Sequence, residues 1–207
     1  MTKPIAIVDV DETLWPFHDA LENTARDLGV KIPKRKDCTY WNSVFQYAGE
    51  CEVVKVFDTV HSQQCSYKPY SDAEAFLKFM ATRFHVIIAS HRKPTYRIEL
   101  VDWMNTNKLP YNEIVVTSDK TALFNNNPRV EVVVDDRDQT IIDACKRGKV
   151  GIGLRKPWNM NATYTTMVKG QERVVGLTLF ESLTEIADFL TNYHSAYTLE
   201  RALEEEC

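Results

Sequence analysis

Short β-branched apolar runs alternate along the chain with stretches of helical periodicity. The runs at 4–9 (PIAIVD), 84–90 (FHVIIAS), 113–118 (EIVVTS), 130–135 (VEVVVD) and 150–154 (VGIGL) are nearly continuous in apolar residues, the signature of strands buried on both faces. Between them Leu21, Ala25 and Leu28, then Ile98, Val101 and Met104, then Ile141, Ile142 and Cys145 recur at helical spacing. This rhythm predicts an α/β fold, a parallel sheet flanked by helices. Pro94 suits the first turn of the helix after the second strand, and Gly148 suits a stop after the helix that follows the fourth.

One interval breaks the rhythm. From Leu14 to Tyr70 no apolar strand is visible, yet 9 of the chain's 22 aromatic residues fall there: Trp15, Phe17, Tyr40, Trp41, Phe45, Tyr47, Phe57, Tyr67 and Tyr70. A bare loop of that length does not fit a compact domain. The expectation is a small helical cap over 14–70, inserted after the first strand, with 1–13 and 71–207 forming the core domain. The aromatics would serve equally as the cap's own core. Beyond Ser182, Leu183, Ile186, Ala187 and Leu190 share one helical face, and the chain ends in the acidic Glu204-Glu205-Glu206, read as a solvated end.

Composition narrows the class. With 207 residues, 44% hydrophobic and 26% charged, the chain can bury one substantial core plus an insertion, which excludes a disulfide-stapled mini-protein. No apolar run approaches the roughly 20 residues that cross a bilayer, and the start lacks a signal peptide's apolar region, so a cytoplasmic protein without membrane contact is expected. A net charge of −4 argues against counterion-release binding to long nucleic acid and leaves room for a small anionic ligand. Five cysteines without a CxxC pair read as reduced thiols, and His61-x3-Cys65 near Cys38 and Cys51 matches no common zinc module. The sequence is compatible with a homodimer.

The first strand runs directly into Asp9-Val10-Asp11-Glu12-Thr13. In an open parallel sheet ligands bind outside the carboxyl ends of the strands, so both carboxylates are delivered to that edge. Carboxylates so close repel one another unless a cation neutralises them, and magnesium, a hard acceptor of oxygen ligands, can hold a phosphate oxygen as well. The fourth strand ends likewise in Asp135-Asp136, the second in Ser90-His91-Arg92, and the third is followed by Ser118-Asp119-Lys120. Lys120 would set a positive charge against a phosphate and the carboxylates. Each residue alone has a structural reading, as turn former or solvated charge; the four strand ends together do not.

D-x-D-x-T, then S, then K, then DD at strand ends resembles the four motifs of the haloacid dehalogenase superfamily of phosphatases, over about Ile5 to Leu154. Within it, VVTSDKTAL around Lys120, VVVDDRDQT around Asp136 and the YRIELVDWMNTNKLPY segment are similar to the 5'(3')-deoxyribonucleotidases, as is Lys156-Pro157-Trp158-Asn159 after the last core strand. The first motif departs from that branch: the deoxyribonucleotidases usually carry Gly where this chain has Glu12, and the DETLWPF run resembles magnesium-dependent phosphatases linked to phosphotyrosine and sugar phosphates. In the second motif, Ala89-Ser90 stands where the nucleotidase pattern often has Thr-Ser, and the phosphate hydroxyl falls to Ser90.

The resemblance implies a Rossmannoid core with a cap and the following roles. Asp9 would be the nucleophile that forms an aspartyl-phosphate, and Asp11 the general acid and then base. Mg2+ would be held by Asp9, the Asp11 carbonyl and Asp136, with Asp135 orienting water or Lys120 from behind. Ser90 and Lys120 would hold phosphate oxygens, and Thr13 would brace the turn by bonding its own backbone. Phe17, eight residues beyond Asp9, would line a base pocket; Trp41 and Phe45 would stack there or pack within the cap. His91, Arg92 and Arg137 would help bind an anionic substrate or remain surface groups. The substrate implied is a nucleoside monophosphate. Another phosphomonoester (a sugar phosphate, phosphotyrosine or nucleic-acid 3' end) and a catalytically silent nucleotide-binding module remain as alternatives.

Overall fold

A computed structural model describes residues 2–40, 42–125, 127–168 and 170–193; Trp41 and the acidic Glu204–Glu206 end lie outside the described residues. Six strands, β1 (Ile5–Val8), β2 (His85–Ser90), β3 (Glu113–Val116), β4 (Val130–Val134), β5 (Val150–Leu154) and β8 (Thr178–Phe180), form one parallel sheet in the order β3-β2-β1-β4-β5-β8. The chain winds outward from β1 to β3 and returns to β4 beside β1, so the strand order reverses between β1 and β4. That is the crevice where open α/β sheets hold ligands.

Alternation along the strands divides the core. Ala6, Val8, Val86, Ile88, Val132 and Val134 face a large cluster that includes Leu77 and Met80 of α3 (Ala73–Arg83), Leu100, Trp103 and Met104 of α4 (Arg97–Thr106), and Leu183, Ile186 and Leu190 of α7, described over 183–193. Ile5, Ile7, Ile87, Ala89 and Val133 face the other side, with Phe124 of α5 (Thr121–Phe124) and Ala144 of α6 (Asp138–Lys146). A register shift in β4 opposite Ile5/Ala6 brings Val130 to this second face although Val132 lies on the first.

The interval from Leu14 to Tyr70 is helical: α1 (Phe17–Asp27), α2 (Glu50–Ser62) and short 3-10 turns between and after them. Phe17, Ala20, Leu21 and Ala25 of α1 and Val56 and Val60 of α2 join the large cluster. Trp15, fully buried, meets Phe17, Tyr67 and Trp103 at ring-centroid distances of 5.4, 5.2 and 6.1 Å, so these aromatics do pack a core.

Three expectations shift. Ile98 is 68% exposed, because α4 turns Leu100, Trp103 and Met104 inward, with the Trp103 indole N–H on the Tyr67 carbonyl at 2.8 Å. Leu28 lies past the end of α1 and is exposed. The segment after β5 forms an antiparallel hairpin, β6 (Thr163–Val168) with β7 (Gln171–Gly176), followed by the short sheet strand β8. No strand is expected there from the sequence reading, although Val174, Val175, Leu177, Leu179 and Phe180 are apolar; β7 itself is exposed along nearly its whole length. Gly148 does follow the end of α6, in the left-handed region at φ +70°.

Candidate active site

β1 and β4 deliver their aspartates side by side. Val8 pairs with Val134, and the ladder continues one step, the Asp9 N–H bonding the Val134 carbonyl at 2.9 Å and the Asp135 N–H the Ile152 carbonyl at 3.1 Å. Gly153 makes this closure possible, since a Cβ there would stand 2.0 Å from the Asp135 carbonyl oxygen. Asp9, Asp135 and Asp136 each present a carboxylate oxygen, all within 4.8 Å of one another. The Lys120 ammonium donates to Asp9 and, at 2.8 Å, to Asp135, whose other oxygen accepts the Arg137 backbone N–H at 2.8 Å.

Three carboxylates against one ammonium leave an excess of two negative charges in a nearly dry place. Burial, and after it the neighbouring Asp135 and Asp11, push Asp9 up to about 7 despite Lys120. Burial together with Asp9 and Asp135 drives Asp136 well above the ordinary carboxylate range. Burial would lower Lys120, but Asp135 and Asp9 outweigh it and hold the ammonium charged. A divalent ion cancels this excess, and a donor set of carboxylate oxygens without thiol or imidazole fits hard Mg2+.

Asp11 is placed differently. Its Oδ1 accepts the Trp15 indole N–H at 2.9 Å and the Arg92 Nη2 at 3.0 Å; its Oδ2 takes Arg92 Nη2 at 3.2 Å and the Ser90 hydroxyl at 3.3 Å, with His61 Nε2 at 3.4 Å. Burial alone would raise its pKa, but Arg92 and His61 prevail and keep the carboxyl well below the usual range. The Arg92 side chain has no exposed surface: Nε donates to Ser90 Oγ at 2.8 Å and Nη1 to Gln64. Arg92, expected against a substrate anion, is committed to Asp11, Ser90 and Gln64, and the Ser90 hydroxyl is buried between Arg92 and Asp11.

Glu12 occupies the left-handed region, φ +63°, where the Gly of the deoxyribonucleotidases would sit without strain. Its buried carboxylate accepts the His18 backbone N–H at 2.6 Å and Arg35 Nη2 at 2.8 Å, and lies 3.0 Å from Lys156 Nζ. Thr13 does not brace the turn through its hydroxyl, which has no hydrogen-bond partner among the described residues; its backbone N–H reaches the Val10 carbonyl at 3.3 Å instead.

Several of these groups border a cleft of about 710 Å3. Asp11, Lys120, Asp135 and Asp136 line it together with Phe17, Phe45, Phe57 and His61 of the helical interval, His61 standing 3.4 Å from Asp11; Asp9 is buried and not part of the lining. Phe17 stacks on His61 (5.2 Å, 22°) and Phe45 on Phe57 (5.9 Å, 22°). His91 and Arg137 also line the cleft; desolvation, then the charges of Lys120 and Arg137, holds His91 below an ordinary imidazole. Cys38 reaches the wall near His18, but burial pushes its thiol up to about 11, so it is no nucleophile at neutral pH. The contacts of Trp15, His61 and Gln64 are absent from the motif reading. His61 had a signal only through its spacing to Cys65, and the two diverge: His61 faces Asp11, whereas Cys65 bonds the Glu99 carbonyl.

Neither a protein-family model nor a curated protein matches the sequence. Solved structures do match. The HAD hydrolase YfnB from Bacillus subtilis, solved bound to magnesium, superposes with a TM-score of 0.57 at 12% identity, covering 92% of this chain and 100% of that one. A phosphoserine phosphatase from T. onnurineus gives 0.53 at 14% identity (92% and 95% covered), and a haloacid dehalogenase-like family hydrolase from Streptococcus pneumoniae 0.54 at 13% (74% and 85%). The chain thus has the fold of haloacid dehalogenase-like hydrolases, which is shared by phosphatases and dehalogenases alike.

Proposed function

We propose that the protein is a Mg2+-dependent phosphohydrolase that removes phosphate from nucleoside monophosphates, of the 5'(3')-deoxyribonucleotidase type. The observation that carries this reading is the cluster of Asp9, Asp135 and Asp136 around Lys120, beside a cleft that Lys120, Asp135 and Asp136 share with Phe17, Phe45 and Phe57. The charged groups suit a phosphate and the rings a planar base. Residues 14–70 act as the cap over a core of 1–13 and 71–207, closing water out of the cleft.

In this reading an Asp9 oxygen attacks phosphorus in line, the bond from phosphorus to the ester oxygen breaks, and an aspartyl-phosphate forms. Lys120 holds Asp9 and steadies charge on the transferring group. Asp9, Asp136 and the Asp11 carbonyl would hold Mg2+, which would supply the charge neutralisation that lets a carboxylate approach a phosphate dianion. Asp11 takes two turns. Arg92 and His61 keep it ionised but a weak base, so accepting the proton of the water that hydrolyses the intermediate requires those contacts to loosen. To protonate the departing alkoxide first, it has to exchange contacts with Arg92 and His61 for a proton, a change that an incoming dianion favours by raising its proton affinity.

The test is phosphate release from deoxy- and ribonucleoside 5'- and 3'-monophosphates, sugar phosphates, phosphotyrosine and a 3'-phosphorylated oligonucleotide, each with Mg2+ and with chelator. Mg2+-dependent release fastest from deoxyribonucleoside monophosphates is expected. A profile indifferent to the base would overturn the substrate assignment, and halide release from a 2-haloacid in place of any phosphate release would overturn the reaction class.

A further inference from the structure

The segment Lys156–Asn159, just after β5, touches both acidic strand ends. Trp158 donates its indole N–H to Asp136 Oδ2 at 3.0 Å and lies 3.2 Å from the Asp136 carbonyl oxygen. Asn159 Nδ2 donates to that same carbonyl at 2.9 Å and to the Leu154 carbonyl at 2.9 Å, while its Oδ1 accepts the Lys156 N–H at 2.8 Å. Asn159 is fully buried and Trp158 nearly so. Lys156 then reaches the other way, to Glu12 at 3.0 Å and the Tyr70 hydroxyl at 3.0 Å. Trp158 thus holds one oxygen of the Asp136 carboxylate.

We propose that Trp158 and Asn159 are positioning residues for Asp136, and that Lys156 ties the same segment to Glu12, so that one loop sets the spacing between the carboxylates of β1 and β4. The inference rests on the reading of Asp9 and Asp136 as Mg2+ ligands. An indole N–H on Oδ2 restrains the carboxylate that would meet the cation, and removing such a supporting donor typically weakens metal affinity roughly 10–100-fold. The same view explains Glu12, singled out by the sequence but unused in the chemistry. A non-glycine residue at this φ is strained, and the Glu12 carboxylate offsets that strain if it anchors Lys156.

The experiment is calorimetric titration of the full chain with Mg2+ alone, in wild type, Trp158→Phe and Asn159→Ala, beside melting curves in metal-free buffer. Trp158→Phe keeps the ring and loses the donor; the expected result is a Kd for Mg2+ at least about tenfold weaker, with a smaller loss in Asn159→Ala. A segment that only packs would lower the melting temperature and leave the Kd unchanged. Should Trp158→Phe not fold, Asn159→Ala carries the test. Mg2+ affinity within twofold of wild type in the folded variants would overturn the inference alone. A wild type that takes up no Mg2+ would overturn the catalytic reading and this inference with it.

Discussion

The carboxylate cluster and the aromatic wall are built by different means. At the sheet edge, Asp9, Asp135 and Lys120 hold one another directly, and their positions follow from strands whose register is fixed by Val8 opposite Val134 and Ile88. In the aromatic wall, Phe17, Phe45, Phe57 and His61 come from α1, a 3-10 turn and α2, and meet only through side-chain packing. Asp9 belongs to the first set, whereas Asp11, two residues on, is shared between the end of β2 and the helical interval. One is pushed up by burial among carboxylates, and the other is held down by Arg92 and His61. Strand ends alone fix the reacting group, whereas the group that handles the leaving group's proton takes its character from Arg92 after β2 together with His61 of α2.

The contrast is broken most severely at Asp11. Asp11→Asn is expected to slow hydrolysis of an alkyl phosphate by about 10²–10⁴-fold, the usual reach of general acid–base catalysis. An aryl ester whose leaving group needs no proton should lose far less of its aspartyl-phosphate formation, followed as the burst of the phenol. Equal losses on both esters in the burst phase would remove the acid role. Next in size is the aromatic wall. Phe57→Ala should raise KM for nucleoside monophosphates by an amount corresponding to roughly 1–3 kcal/mol of lost stacking and leave that for glycerol phosphate nearly unchanged, read from steady-state kinetics. A uniform rise for both would make the wall a packing element rather than a base pocket. Smallest is the proton linkage at the sheet edge. Because Asp9, pushed up to about 7 without metal, and Asp136, held well above the ordinary carboxylate range, must be deprotonated to bind it, Mg2+ binding releases protons, and affinity falls as the pH drops below 7. Titrations at pH 6 and 8 check the direction; affinity that rises on acidification would contradict the assigned ligand.

What the sequence discloses follows the same divide. The runs ending in Asp9, Ser90 and Asp135 mark strands because burial on both faces demands continuous apolar residues, and a parallel sheet then brings their ends to one edge. The hairpin of β6 and β7 is under no such demand, and its β7 strand is exposed, with polar residues and a Gly around Val174 and Val175. Arg92 illustrates the limit at the site itself. Its place after Ser90 suggests an anion ligand, yet Asp11 and Gln64 claim its guanidinium, and nothing local to Arg92 announces Gln64 from the turn after α2. His61 is hidden likewise, because its contact with Asp11 spans 50 residues and depends on how α2 packs.

The central claim is that Asp9 becomes covalently phosphorylated beside the carboxylates of β4. Borohydride added during turnover of a monophosphate reduces an acyl-phosphate to the alcohol, and peptide mass spectrometry then locates it. The account predicts homoserine in place of Asp9, dependent on Mg2+ and on substrate. Continued turnover with Asp9 unmodified, or the reduced residue found elsewhere in the chain, would contradict it.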